Sequence, residues 1–250
     1  MSGHSKWATI KHKKGAADVK RGKLFGKLIR QVEVAAREGG GDPEMNPTLR
    51  TMYPKARAAA VPLDTIERAI KRGTDELEGV TYEQITYEGY APNGVAVLVE
   101  VLTDNRNRAG SEIRSLFTRG GGSLAEPGAV SWQFERKGVV IVPKGVEEDE
   151  VMMVGLDHGL EDLVDEGDTW RLTAEATDTP GLRAALEEAG IAVESSDVTM
   201  LPKAGVPLDS AEKAKAVLRL IDELDDHDDV QDVYANFDIP DDVLQAAAAG

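Results

Sequence analysis

The chain has no cysteine and only four histidines among its 250 residues. Without cysteine it can form no disulfide, iron–sulfur cluster or thiolate zinc site, and it has no cysteine nucleophile. The imidazoles available for acid–base or metal chemistry are His4, His12, His158 and His227, and no two of them have the spacing of metal ligands. Much of enzyme chemistry is thereby excluded, and we expect no metal, no cofactor and no small-molecule substrate.

Long apolar runs are also absent. No segment approaches the roughly 18 consecutive apolar residues of a membrane span, and the first residues are polar and cationic. We expect a cytoplasmic protein with no membrane partner. Its length and its 41% apolar content favour two or three globular domains.

Positive charge is scarce in the chain as a whole but abundant at its start. The formal net charge is −16, yet residues 1–30 carry nine Lys and Arg against one acidic residue, a net +8. Residues 1–72 sum to +9 and residues 73–250 to −25. An acidic body repels polyanions and a basic end attracts them, so we expect any contact with nucleic acid to be confined to one end.

The basic start divides into an arm and a helix. In the arm, lysines alternate with one aromatic residue, a pattern suited to phosphate neutralisation and base stacking. Beyond Gly15, apolar residues recur at helical spacing, and cations form a stripe on roughly the opposite face. A solvated terminus that only keeps the protein soluble is the alternative. The predicted nucleic-acid-binding residues are Lys6, Trp7, Lys11, Lys13 and Lys14 in the arm, and Lys20, Lys23, Lys27 and Arg30 in the stripe.

The segment TDNRNR at 103–108 is a possible second contact. It lies where a predicted strand meets a predicted helix, and Asn105 can cap that helix. Arg106 and Arg108 would lie in its first turn, where the helix dipole disfavours cations. A partner is therefore expected, either nucleic acid or one of the protein's own carboxylates.

The acidic run DELDDHDD at 222–229 is a weaker candidate for a site. Its spacing is not that of a calcium loop, and we interpret it as a solvated helix end. So much negative charge near a helix C-terminus is unfavourable, and the sequence offers no reason for it.

Helical patterns fill the first part of the chain. Three short helices are expected over about 15–75. The first ends at GGGD (39–42), the second begins at Asn46-Pro47, and the third is capped by Asp64 with Glu67.

Strand patterns begin at Thr81. The segments ITYEGYAP and VAVLVEVLTD predict a hairpin around Asn93-Gly94, followed by a helix over 106–119 and the strand GAVSWQFERK. Residues 138–202 then follow the order βαββαβ, which is ferredoxin-like. The helix and strand after Pro207 lack partners of their own, so we expect them to complete the sheet begun at Thr81, although a separate C-terminal hairpin is an alternative.

These patterns predict an α+β fold of three domains. An N-terminal three-helix unit is followed by two ferredoxin-like α/β units, the second inserted into the first. The expected boundaries are 1–77 for the basic arm and helical domain, 78–136 plus 205–250 for the split α/β domain, and 137–204 for the inserted one.

Several long motifs resemble the YebC/PmpR family. They are SGHSKW with IKHKK, GGGDPEMNPTLR, IERAIKRG, YEGYAPNGVAVLVEVLTDNRNR and GGGSLAEPGAVSWQF. The resemblance implies a cytoplasmic, non-enzymatic protein of three domains. It also adds His12, Arg68, Lys71 and Arg72 to the nucleic-acid-binding residues, and it supports Asn105, Arg106 and Arg108 as a secondary contact.

The resemblance leaves two versions of the function open. Members are conventionally described as probable transcriptional regulators that bind DNA, and we take this version first. Others resemble translation factors, including a mitochondrial translational activator and bacterial proteins that relieve ribosome stalling at proline-rich stretches, which would make ribosomal RNA and the ribosome the partners. A hydrolase or metal enzyme with acidic catalytic residues is a third and weaker hypothesis.

The sequence departs from the family pattern at two positions. Pro54 stands where members have a helix-compatible residue, and it is expected to kink the second helix. Ala60 stands where asparagine is common, which removes an easy left-handed helix end.

Overall fold

The computed structural model describes residues 18–74 and 81–248. Three helices form the N-terminal unit, namely α1 (Asp18–Gly39), α2 (Pro47–Ala58) and α3 (Leu63–Thr74). They pack around a core in which Val32, Leu49 and Ile66 are fully buried. Asn46 caps α2 as expected, because its Oδ1 accepts the N–H of Leu49 at 3.1 Å. The predicted three-helix unit is confirmed.

The helical unit differs from expectation at the start of its third helix. The third helix begins at Leu63, so Asp64 lies inside the first turn and binds Arg68 instead of capping the helix. The carbonyl of Pro62 accepts the N–H groups of Thr65 and Ile66 at 3.0 and 3.2 Å. The second helix extends on both sides of Pro54, whose side chain is exposed, and the kink expected there stays a prediction.

The rest of the chain alternates strands and helices. In order they are β1 (Glu83–Tyr90), β2 (Ala96–Thr103), α4 (Arg106–Arg119), β3 (Ser123–Leu124), β4 (Phe134–Pro143), α5 (Glu148–Leu156), β5 (Leu160–Asp165), β6 (Thr169–Glu175), α6 (Thr179–Glu188), β7 (Ser195–Pro202), β8 (Val206–Pro207), α7 (Ala211–Asp225), β9 (Val230–Ala235), β10 (Phe237–Asp238) and α8 (Asp241–Ala248).

The first sheet joins two distant parts of the chain. Its strand order is β3-β1-β2-β9, and all of its pairings are antiparallel. The hairpin turn is the predicted one, with positive φ at Asn93 and Gly94. The core beneath this sheet combines side chains of α4, such as Ile113 and Phe117, with side chains of α7, such as Leu220. The segment after Pro207 therefore completes the sheet begun at β1. The chain order is ββαβ and then αβ, a rearranged form of the ferredoxin-like plan.

The second sheet is ferredoxin-like in both chain order and spatial order. Its strands are arranged β5-β6-β4-β7, all antiparallel. Helices α5 and α6 contribute Val151, Leu182 and Leu186 to its core. The predicted α+β class, with a helical unit and two sheet units, is confirmed.

One strand boundary differs from the sequence prediction. GAVSWQFERK and VVIVP form a short helical turn at Ser131–Gln133 and then one continuous strand, β4. Gly138, where the sequence predicts a new strand to begin, lies inside β4. A Cβ at that position would lie 1.6 Å from the hydroxyl of Thr179, so the glycine lets α6 approach the strand closely.

The C-terminal helix α8 is absent from the sequence predictions. Leu244 buries itself in the core of the first sheet unit, and β8 and β10 form a short parallel pair beside it. The end of the chain therefore belongs to the unit of the first sheet, which we name the split unit. The unit of the second sheet is named the inserted unit.

Candidate nucleic-acid interface

The predicted arm lies outside the described residues. This applies to Lys6, Trp7, Lys11, His12, Lys13 and Lys14. Lys20 belongs to α1, but its side chain is not among those described. The structure therefore gives a geometry only for the lower part of the cationic stripe and for the later candidates.

The stripe of α1 packs against the end of α7. Lys27 donates to the carbonyl of Asp225 at 2.6 Å, and its Nζ lies 3.5 Å from Oδ1 of the same residue. Lys23 donates to the carbonyl of Asp226 at 2.8 Å, with Oδ2 of that residue 4.0 Å away. The Lys27 side chain is only 11% exposed. These lysines satisfy carbonyls at the C-terminus of α7, where the helix dipole is negative.

Arg30 continues the same contact one turn further along α1. Its Nη1 donates to the carbonyl of Leu102 at 3.1 Å, to that of Asp228 at 3.0 Å, and to Oδ1 of Asp229 at 3.1 Å. Its guanidinium also lies 5.5 Å from the centre of the Tyr82 ring. The stripe thus meets the acidic run 225–229, which we name the acidic segment.

Asp229 is the centre of this cluster, and its side chain is 7% exposed. Its Oδ2 accepts from Arg108 and from Thr103, each at 2.8 Å. Burial by itself would raise the pKa of Asp229, but the hydrogen bonds from Arg108 and Thr103, with the charges of Arg30 and Arg108, lower that pKa below its ordinary value. The carboxylate is therefore held in its charged form.

The TDNRNR segment forms the other half of the cluster. Asn105 caps α4 as predicted, with Oδ1 accepting the N–H of Arg108 at 3.0 Å. Arg108 binds Asp104 at 2.9 Å as well as Asp229. Arg106 lies 3.8 Å from Glu83. The cations in this first turn thus have carboxylate partners within the protein.

His227 links the acidic segment to α4 by hydrogen bonds. Its Nδ1 accepts the N–H of Asp229 at 3.1 Å, so a neutral ring carries its proton on Nε2 and donates it to Glu112 at 2.8 Å. A cleft of about 820 Å³ lies at this junction, lined by Lys23, Arg108, Arg119 and their acidic neighbours.

The predicted cations of α3 lie on the surface of the helical unit. Arg68 binds Asp64 at 2.7 Å, and Arg72 binds Glu33 at 3.1 Å. Lys71 is exposed, as is Arg57 on α2, and neither has a partner among the described residues. None of these described contacts involves Asp229 or its partners.

Sequence reasoning missed Asp229, Thr103 and His227 as members of a site. The sequence predicts a solvated helix end at the acidic run, because nothing in its spacing shows that a helix about 200 residues earlier lies against it. One signal was present, because unfavourable charge at a helix C-terminus calls for a cation nearby.

The described ranges contain neither a metal-binding cluster nor a membrane-spanning helix. No group of three or more metal-ligating His, Asp or Glu side chains was found in 18–74 and 81–248. None of the helices in those ranges is long and apolar enough to cross a membrane.

Comparisons with known proteins cover nearly the whole chain. The TACO1/YebC N-terminal domain family matches residues 5–76, and the family of the TACO1/YebC second and third domains matches residues 82–237. A protein of Thermobifida fusca named "probable transcriptional regulatory protein" is 56% identical over 246 residues, 98% of each chain. A protein of the same name from Halothermothrix orenii is 53% identical over 248 residues, again 98% of each chain.

A solved structure is also similar. The crystal structure of a conserved hypothetical protein from Aquifex aeolicus superposes with a TM-score of 0.80 at 45% sequence identity. The match covers 90% of this chain and 93% of that one.

Proposed function

Because this chain belongs to the TACO1/YebC family, we propose that it is a regulator of gene expression that binds nucleic acid through its basic N-terminal region. The resemblance predicted from its motifs is confirmed. Relatives over the full length of the chain are named probable transcriptional regulatory proteins, so DNA is the first nucleic acid to test.

The observation that carries the proposal is the division of charge. Residues 1–72 have a net charge of +9 and the remainder −25. Phosphate contacts supply most of the sequence-independent affinity for nucleic acid, and they require cations that are not already paired. The N-terminal region is the part of the chain with a cationic excess.

The contacts within the protein limit which cations are available to bind nucleic acid. Lys23, Lys27 and Arg30 are engaged by the acidic segment, which leaves the arm as the principal polyanion-binding element. Arg57 and Lys71 supply an exposed cationic surface on the same helical unit. The nearby acidic units repel polyanions and restrict where nucleic acid can lie.

The regulator acts without catalysis in this proposal. The names of its relatives describe regulation, and the chain has no cysteine and four histidines, two of them in the arm. The ring of His227 is committed to structural hydrogen bonds on both nitrogens. Acid–base chemistry would have to depend on carboxylates alone.

A charge-reversal experiment tests the proposal. Wild type is compared with Lys11→Glu/Lys13→Glu/Lys14→Glu by crosslinking in cells, followed by sequencing of both bound DNA and bound RNA. The matched control reverses three exposed cations of the body, Arg114, Lys203 and Lys215, to glutamate. Loss of enrichment in the arm variant but not in the control is the expected result.

The recovered nucleic acid separates the two versions of the function. Promoter DNA supports a transcriptional regulator, whereas ribosomal RNA supports the translation factor suggested by the resemblance. Equal recovery from the arm variant and from wild type would refute binding through the arm.

A further inference from the structure

The acidic segment offers the cations of α1 the same chemistry that a nucleic-acid backbone would offer. It presents carboxylates and helix-terminal carbonyls, all oxygen acceptors bearing full or partial negative charge. Lys23 and Lys27 each contact one residue of it, and Arg30 contacts two. A phosphate would therefore compete with this segment for the same ammonium and guanidinium groups.

The contact between α1 and the acidic segment is polar, which allows the helical unit to separate from the split unit. The core of the helical unit includes Val32 and Leu49, that of the split unit includes Val99 and Leu220, and no hydrophobic cluster among the described residues contains members of both. The described contacts between α1 and the acidic segment are hydrogen bonds and ion pairs, which salt and competing polyanions weaken.

Separation leaves little uncompensated charge behind. Asp229 keeps its hydrogen bonds from Arg108 and Thr103 when Arg30 leaves, because both donors belong to the split unit. The lysines of α1 regain water. Opening also costs the hydrogen bond from Arg30 to the carbonyl of Leu102 and the exposed ion pair between Lys55 and Asp197.

We propose that the acidic segment is an internal competitor that masks the cationic face of α1, so that nucleic acid gains this face only when the helical unit separates from residues 225–229. This inference rests on the proposed function. The arm precedes α1 in the chain, and in this proposal phosphates of nucleic acid bound by the arm displace the carboxylates. The apparent affinity is then reduced by the fraction of molecules that are closed.

The binding test weakens the competitor without adding cations, because it removes the carboxylate charges that lie 3.5 Å from Lys27 and 4.0 Å from Lys23. The backbone carbonyls that these lysines bind remain. The variant Asp225→Asn/Asp226→Asn is compared with Asp157→Asn/Glu188→Gln, which changes the net charge equally at two exposed residues of the inserted unit. The probes are a short DNA duplex and a single-stranded RNA of the same sequence, measured by fluorescence anisotropy. Binding by the first variant should be several-fold tighter than binding by wild type at low salt, because loss of the two ion pairs weakens the closed form and raises the open fraction. The control should bind less tightly than the first variant.

A distance measurement examines the contact directly. Since the chain lacks cysteine, labels attach only at introduced ones, and Thr51→Cys with Gln245→Cys places exposed labels on the helical and split units. The label separation should increase when either probe is added to the wild-type background, and it should be longer in the Asp225→Asn/Asp226→Asn background before any addition.

The outcomes separate this inference from the function on which it rests. Unchanged separation with a probe demonstrably bound would overturn the masking and leave the nucleic-acid function standing. Equal affinity of the Asp225→Asn/Asp226→Asn variant and its control would do the same. If neither wild type nor this variant binds either probe, both the proposed function and the masking are wrong.

Discussion

Asp229 joins three parts of the chain through one carboxylate. Arg30 reaches it from the helical unit, Arg108 from the first turn of α4, and Thr103 from the end of β2. Its oxygens are satisfied in the buried position, which is the condition under which a charge is stable away from water. The residue thus fixes how the acidic segment folds against the sheet.

Substituting Asp229 by asparagine should lower the free energy of unfolding by about 2 kcal/mol, because three charge-assisted hydrogen bonds are weakened or lost. Denaturant titration at neutral pH measures it. The control is Asp104→Asn, which removes only the more exposed partner of Arg108 and should cost much less.

The same residue predicts a pH dependence. The pKa of Asp229 is lower in the folded protein than its ordinary value, so its carboxylate contributes stability above an unfolded-state pKa of about 3.9. That contribution is lost as the pH falls through the folded-state pKa. As the pH falls below about 5, the free energy of unfolding of wild type should therefore decrease more than that of Asp229→Asn. Parallel plots of this free energy against pH would contradict the role of Asp229.

Ala60 has a backbone conformation that its side chain disfavours. Its φ is +63°, and the N–H of Val61 bonds to the carbonyl of Ala56 in the manner of a Schellman motif. Ala60→Gly should raise the free energy of unfolding by about 1 kcal/mol, because glycine tolerates positive φ. Ala59→Gly is the control. With φ at −73°, Ala59 has no such strain, and glycine there should be destabilising in denaturant titrations.

At the scale of elements, α1 and α7 explain each other's charge. The end of α7 carries acidic residues where the helix dipole is already negative, and α1 supplies Lys23 and Lys27 to the same carbonyls. Each feature looks unfavourable or purposeless alone. Together they form an interhelical contact, which is why a cationic stripe is not by itself proof of a nucleic-acid surface.

The second helix tolerates a proline in its interior. Pro54 cannot donate the hydrogen bond of that turn, yet α2 continues to Ala58. Pro54→Ala should therefore raise the free energy of unfolding by about 2 kcal/mol. The comparison is Pro47→Ala at the first position of the same helix, where proline is favourable. Equal effects of the two changes on the thermal or denaturant midpoint would contradict this explanation.

At the scale of the whole molecule, one sheet unit is formed by a continuous stretch of chain and the other by two separated stretches. The inserted unit forms its sheet and core from one continuous stretch. The split unit takes β9, α7 and α8 from beyond it, and more than half of the buried side chains described in its core come from there. The boundaries 137–204 and 78–136 plus 205–250 remain predictions that fragments can test.

A fragment of residues 134–203 should fold alone and unfold cooperatively, because it retains all four strands of its sheet. A fragment of residues 81–133 should not fold, because it lacks the helix and strand that close its core. Circular dichroism with thermal unfolding measures both. A folded 81–133 fragment would contradict the split-unit description.

The sequence by itself determined the local structure and the family. Helical spacing, the Asn46 cap, the Asn93-Gly94 turn and the βαββαβ order depend on neighbouring residues, and all of them appear in the structure. Long motifs identified the family because they are contiguous. The distribution of charge is likewise a property of the sequence.

Only the tertiary structure determined which charges meet. Lys27 and Asp225 are 198 residues apart, and no local pattern encodes their contact. It results from the packing of the helical unit against the end of α7, in which dipoles, carboxylates and cations from distant segments compensate one another. Composition shows how much charge of each sign a chain carries, but only its folded form shows how much of that charge is already paired.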